Sequence, residues 1–192
     1  IELYGAVLVF GGAMHADQDE RHGWLRDENV LLQRLLADGV PTFGVCLGGQ
    51  LVAKALGAAV RRMPSAEIGW FDVQLTSEAA DDPVFGGLAD PFKALQWHSY
   101  HFELPDGGIA LARNDRCLQG FRAGRAWGIQ FHPEVTRHTM HRWTVLGAHR
   151  FVMPGAQPAA AHLHANLLHD APVKRWLTGF IDLWLQPAVN GS

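Results

Sequence analysis

The sequence predicts a single α/β domain: a mixed, mostly parallel sheet flanked by helices, with a short antiparallel hairpin region and a helical C-terminus. Three observations carry that expectation. Ala6-Val7-Leu8-Val9-Phe10 is a continuous apolar, branched run, the pattern of a strand buried on both faces. A helix-period stretch and a second apolar run, Val40 to Val45, follow it, and that order implies a right-handed crossover with parallel pairing. Gly44-Val45-Cys46-Leu47-Gly48-Gly49-Gln50 then stands between the second strand and the helix-like run Leu51 to Leu56, which reads as strand, sharp turn, helix.

The first strand ends at Gly11-Gly12, where the backbone can turn freely and approach a ligand. Met14 to Gly23 is polar and irregular. From Trp24 to Leu36, Leu25, Val30, Leu31, Leu32, Leu35 and Leu36 suit an amphipathic helix that Asp38-Gly39 stops. Ala58 to Arg62 and Ile68 to Thr76 read as further strands, the second with period-two alternation. Asp81 to Asp90 reads as a loop or short helix and Phe92 to Trp97 as a strand, after which the polar aromatic stretch Trp97-His98-Ser99-Tyr100-His101 interrupts the pattern. Ile109 to Ala112, Leu118 to Arg122 and Arg125 to Gln130 read as short strands, the last two joined into a hairpin at Ala123-Gly124. The chain then reads as helical to Phe151, breaks at Pro154-Gly155-Ala156-Gln157-Pro158, and resumes as Ala159 to His169 and Val173 to Leu185. Residues 1–150 thus read as the core of the domain and 151–192 as a helical extension of it. In the extension Trp176, Leu177, Phe180, Ile181, Trp184 and Leu185 make an apolar stripe suited to core packing.

A chain of 192 residues with 48% hydrophobic content is long enough to bury one core. A net charge of −3 and a pI near 6.4 offer no basic face for nucleic acid, and no apolar run is long enough to span a bilayer. A small-molecule or protein partner is therefore expected. Two cysteines, Cys46 and Cys117, make no disulfide framework, and no signal peptide is visible, which points to a thiol enzyme of the cytoplasm. The histidines at 138, 141, 149, 162, 164 and 169 lack cysteine or carboxylate partners at ligand spacing, so most of them read as solvated helix residues and no metal is expected. Cys117 has no adjacent base and reads as structural.

A cysteine at a strand–turn–helix junction has the build of a nucleophile elbow, which pushes one reactive side chain out of the sheet. The helix that begins at Leu47 adds free N–H groups and a positive dipole end, favourable to a thiolate and to an oxyanion beside it. A buried structural cysteine is the competing reading. Phe131-His132-Pro133-Glu134 tips the balance, because it follows a strand and supplies a base and a group to orient it. The Gly12 amide is then a natural second donor to an oxyanion.

Gly44-x-Cys46-x-Gly48-x-Gln50, with Gly11-Gly12 upstream and His132-x-Glu134 downstream, resembles the triad-type (class I) glutamine amidotransferases, and most closely their stand-alone members often called GMP synthase-like. Glu67-Ile68-Gly69-Trp70 and Gln96-Trp97-His98 match that subgroup, and the resemblance runs from Tyr4 to Val135. It implies a flavodoxin-like class I fold, Cys46 as nucleophile, His132 as base, Glu134 as its orienting partner, and Gly12 with Leu47 as the oxyanion hole. It places Gly11, Gln50, Trp97 and His98 at the substrate pocket, although the histidines of the 97–101 stretch also suit a surface loop. Relatives commonly carry an acidic residue where Tyr100 stands, which leaves open how the charged ends of the substrate are held. Relatives also begin with a further strand and helix, so the sequence reads as a fragment.

The implied activity is cleavage of the side-chain amide of glutamine through a γ-glutamyl thioester, with no cofactor, releasing ammonia for a separate synthetase. The alternative is a free-standing γ-glutamyl hydrolase or peptidase. A non-enzymatic binding or regulatory protein with this fold is a third, disfavoured because such a module has no need of all three of Cys46, His132 and Glu134.

Overall fold

A computed structural model describes residues 5–185 of the 192. The strands are β1 (Val7–Val9), β2 (Thr42–Val45), β3 (Val60–Leu75), β4 (Phe92–Phe102), β5 (Ile109–Arg113), β6 (Leu118–Ala123) and β7 (Ala126–Ile129). The helices are α1 (Gly23–Ala37), α2 (Leu47–Ala55), α3 (Arg137–Leu146) and α4 (Ala159–Trp184), with 3-10 turns at Ser77–Asp81 and Ala148–Val152. The strands form one sheet in the order β1-β2-β7-β6-β5-β3-β4.

The mixed α/β architecture is the one the sequence predicts, but the balance of the sheet differs. Among the described residues two ladders are parallel, β1 with β2 and β2 with β7, and four are antiparallel. The reason lies in the connections: no α-helix intervenes between β3 and β7, and without a crossover element neighbouring strands pair antiparallel.

The parallel part is covered on both faces, as its unbroken apolar runs require. Phe43 and Val45 of β2, with Trp127 and Ile129 of β7, pack with Val173, Trp176, Phe180 and Trp184 of α4. On the opposite face Val9 joins Leu25, Leu32 and Leu35 of α1 and Leu47, Leu51 and Val52 of α2. The helices α1 and α2 therefore clamp the elbow from one side while α4 supports it from the other.

Three elements run on where the sequence suggests breaks. The two strands expected in 58–76 are one strand, β3, whose pairing with β4 shifts register between Arg62 and Glu67. β4 continues through the 97–101 stretch, because its inward polar side chains find protein partners in place of water. α4 passes through Pro172. The carbonyl four residues earlier loses its N–H partner there, but Leu168 lies on an exposed face where water can serve, and apolar packing aligns the two halves.

Candidate active site

Cys46 occupies the junction of β2 and α2 with φ 52° and ψ −110°, alone among the described non-glycine residues in having positive φ. Such a backbone costs about 1–3 kcal/mol and persists only when its surroundings hold it. Here Cys46 donates its N–H to the Ile129 carbonyl at 2.8 Å, and its own carbonyl accepts from Gln50 N–H at 3.0 Å. A Cβ at Gly48 would lie 2.0 Å from the Val9 carbonyl oxygen, so glycine lets the end of β1 rest on the first turn of α2.

That contact puts Gly11 beside the cysteine. A Cβ at Gly11 would lie 3.2 Å from His132 Cε1 and 3.5 Å from Cys46 Cβ. Gly12 follows next to Leu47, whose N–H, at the first position of α2, has no intrahelical acceptor.

His132 comes off the end of β7 and is fixed by its N–H, which donates to the Leu95 carbonyl at 2.9 Å. Glu134 Oε1 accepts from His132 Nδ1 at 2.8 Å, which leaves the other ring nitrogen to face Cys46. Burial is the strongest single influence on the ring and opposes its charge. The charges of Glu134 and Cys46 and hydrogen bonds to both outweigh it and raise the His132 pKa to about 10. The buried ring thus favours the imidazolium form, the natural counterion for a thiolate.

Two hollows meet at Cys46. One, of about 420 Å³, is lined by Phe10, Gly11, Gly12, Ala13, Trp97, His132, Glu134, Trp143, Leu146, Gly147, His149 and Arg150 as well as the cysteine. The other is a recess of about 20 Å³ bounded by Gly12, Leu47, Gln50, His98 and Tyr100 among others. The Tyr100 ring stacks on His15 with centroids 4.0 Å apart and narrows it. Gln50 Nε2 donates to the Tyr100 carbonyl at 3.0 Å, so this buried amide ties α2 to the wall of the recess.

Every residue that the sequence singles out for the site therefore lies at or next to Cys46. His98, however, is no surface-loop residue: it is buried on β4 against Glu67, with Nε2 3.1 Å from Oε2, and its Nδ1 donates to the Tyr100 carbonyl at 2.9 Å. Cys117 does have a base beside it, since Glu67 Oε2 accepts from its Sγ at 3.6 Å. Burial and the Glu67 charge push that thiol up, so it stays protonated. Glu67, His98 and Cys117 form a cluster of metal-ligating residue types that spacing in the sequence does not show. Its polar atoms are bonded to one another and to Asn114 and Gln119 as a buried hydrogen-bond network. Of the six histidines beyond residue 135, His138, His141, His149 and His164 are exposed as expected, whereas His162 is fully buried against Trp97 and Phe151.

The residues missed by sequence reasoning are Trp143, Leu146 and Arg150. Trp143 and Leu146 fall at i and i+3 of α3 and so share one face, which was the available signal, whereas Arg150 lies in the 3-10 turn that follows.

Comparison with known proteins agrees with this architecture. The profile of the family described as glutamine amidotransferase class-I matches residues 2–146, and the chain belongs to that family. A GMP synthase [glutamine-hydrolyzing] from Xanthomonas axonopodis pv. citri is 34% identical over 73% of this chain and 28% of its own length. A Gamma-glutamyl-L-1-hydroxyisopropylamide hydrolase from Pseudomonas sp. is 32% identical over 69% of this chain and 48% of its own. The chain thus spans about a quarter to a half of these two relatives. The crystal structure of a glutamine amidotransferase from Thermotoga maritima superposes with a TM-score of 0.85 at 30% identity, covering 97% of this chain and 80% of that one.

Proposed function

We propose that the chain is a thiol hydrolase that cleaves the side-chain amide of glutamine or of a related γ-glutamyl compound. One observation carries the reading: a cysteine held at positive φ beside the buried His132, itself bonded to Glu134, with Gly12 and Leu47 next to it. His132 takes the thiol proton, and the Cys46 thiolate attacks the amide carbonyl. The oxyanion accepts from the N–H groups of Gly12 and Leu47, each such donor being worth about 3–4 kcal/mol of barrier. His132 then protonates the departing nitrogen, the C–N bond breaks, and a γ-glutamyl thioester remains. Water activated by His132 cleaves the thioester to glutamate and restores the thiol. Glu134 holds the ring tautomer and stabilises the imidazolium throughout.

Intact-protein mass spectrometry during turnover tests this reading. A γ-glutamyl adduct on Cys46, with glutamate release abolished by Cys46→Ala, is expected. Glutamate release that survives in Cys46→Ala would remove Cys46 from the chemistry.

A second reading, delivery of the ammonia to a separate synthetase, draws support from relatives whose names make them one subunit of a glutamine-hydrolyzing GMP synthase. That of Thermococcus kodakarensis is 38% identical over 59% of this chain. Co-purification of a nucleotide-binding synthetase would favour it.

A further inference from the structure

The hollow on the His132 side of Cys46 is far larger than ammonia needs. Ammonia fits within about 30 Å³, the share of one water in the liquid, whereas this cavity measures about 420 Å³. We propose that the cavity is a binding site for an amine leaving group with an apolar body, so that the preferred substrates are γ-glutamyl amides substituted on nitrogen, in particular γ-glutamyl peptides of apolar amino acids. The proposal rests on the hydrolase reading above and names its substrate class.

The direction of the leaving group follows from the chemistry. His132 has to reach the nitrogen that it protonates, so that nitrogen and whatever it carries lie toward the cavity containing His132 and Glu134. The acyl chain then lies on the other side of the sulfur, toward Leu47 and Gln50. Glu134 lines this same cavity and, through its bond to His132 Nδ1, holds the ring toward the leaving-group side.

The walls say what that amine carries. Trp97 and Trp143, 5.6 Å apart by ring centroids, form an aromatic side, and Trp143 stands edge-on to the His132 ring at 5.0 Å. Phe10 and Leu146, 56% and 71% exposed, extend the apolar lining to the mouth. Large apolar side chains at a cavity mouth lose water contact only when a ligand covers them, which is the arrangement of a site for an apolar ligand. Arg150 lines both hollows and makes no ion pair among the described residues. A half-buried cation without a carboxylate suits an anionic or neutral amine and disfavours a second ammonium. The reaction balances as γ-glutamyl amide plus water giving glutamate and the free amine: the C–N bond breaks, the thioester C–S bond forms and is hydrolysed, and the nitrogen receives its proton from His132.

The experiment compares kcat/KM of the full chain for L-glutamine, γ-L-glutamyl-L-phenylalanine and the γ-glutamyl amide of 1,4-diaminobutane. The phenylalanine peptide should exceed glutamine by at least about tenfold, the scale set by one or two buried methylenes, and the diamine derivative should fall below the peptide. The peptide-to-glutamine ratio should drop in Trp143→Ala. Because that variant removes a large ring beside His132, Leu146→Asp at the exposed mouth provides a second test that does not strain folding, and it should lower the same ratio. Equal or better turnover of glutamine, a preference for the diamine, or an unchanged ratio in Leu146→Asp would overturn the proposal and leave the hydrolase reading standing. No adduct on Cys46 from any of the three would instead overturn the hydrolase reading itself.

Discussion

A cysteine at φ 52° needs neighbours with almost no side-chain volume, and Gly48 meets the tightest demand. Alanine there would put a carbon 2.0 Å from the Val9 carbonyl oxygen, and that partner is backbone, which cannot swing away. Gly48→Ala should therefore separate β1 from α2 and collapse both stability and activity, seen as a large fall in thermal midpoint and loss of the Cys46 adduct. Gly57, with open space around its Cβ position but φ +88°, should suffer only the backbone penalty on the same change, roughly 1 kcal/mol. Cys46, His132 and Glu134 could be picked out as candidates from the sequence because turn chemistry and short spacing are local properties. Trp143 and Arg150 were not, because their neighbours Trp97 and Cys46 are brought to them only by the folded sheet.

Among the elements, α4 shows how far packing overrides a local signal. Pro172 suggests a break, yet the helix runs from Ala159 to Trp184, since Val173, Trp176, Phe180 and Trp184 all find the same apolar sheet face. The stripe was readable from period alone; its continuity past the proline was not, because it depends on the partner surface. Trp176 is the residue to test. It stacks on Phe180, meets Phe85 and Phe131 edge-on or tilted, and donates Nε1–H to the Val84 carbonyl at 2.7 Å. Trp176→Ala leaves a cavity and an unpaired carbonyl, for an expected loss of about 3–5 kcal/mol in urea unfolding. A loss below about 1 kcal/mol would mean that α4 is only loosely joined to the sheet. β4 teaches the same lesson in reverse: His98 reads as part of a polar interruption after Trp97, but in the fold it is an interior group facing Glu67.

Across the whole molecule, those buried polar groups connect the hairpin half of the sheet to the half that carries Cys46. Glu67 on β3 meets His98 on β4, accepts from Gln119 on β6 at 2.7 Å, and accepts from Asn114 in the β5–β6 loop at 2.6 Å. His98 in turn donates to the Tyr100 carbonyl, which also accepts from Gln50 of the elbow helix. One carboxylate thus braces three strands and the wall of the recess beside Cys46. Burial alone would raise its pKa, and it is the largest single influence. The hydrogen bond and charge of His98, with the bonds from Asn114 and Gln119, reverse that and hold Glu67 below its ordinary 4.5. A carboxylate whose folded pKa is depressed stabilises the fold above its unfolded value, and that contribution disappears as pH falls through the folded one. Glu67→Gln removes the carboxylate to which His98, Asn114 and Gln119 bond and should cost on the order of 1–3 kcal/mol near neutral pH. Denaturant unfolding of both proteins at neutral pH and at successive steps below 4.5 should show the gap closing as the solution is acidified. A gap that stayed constant across that range would mean that Glu67 contributes through shape and hydrogen bonding alone, with no charged pair at the centre of the sheet.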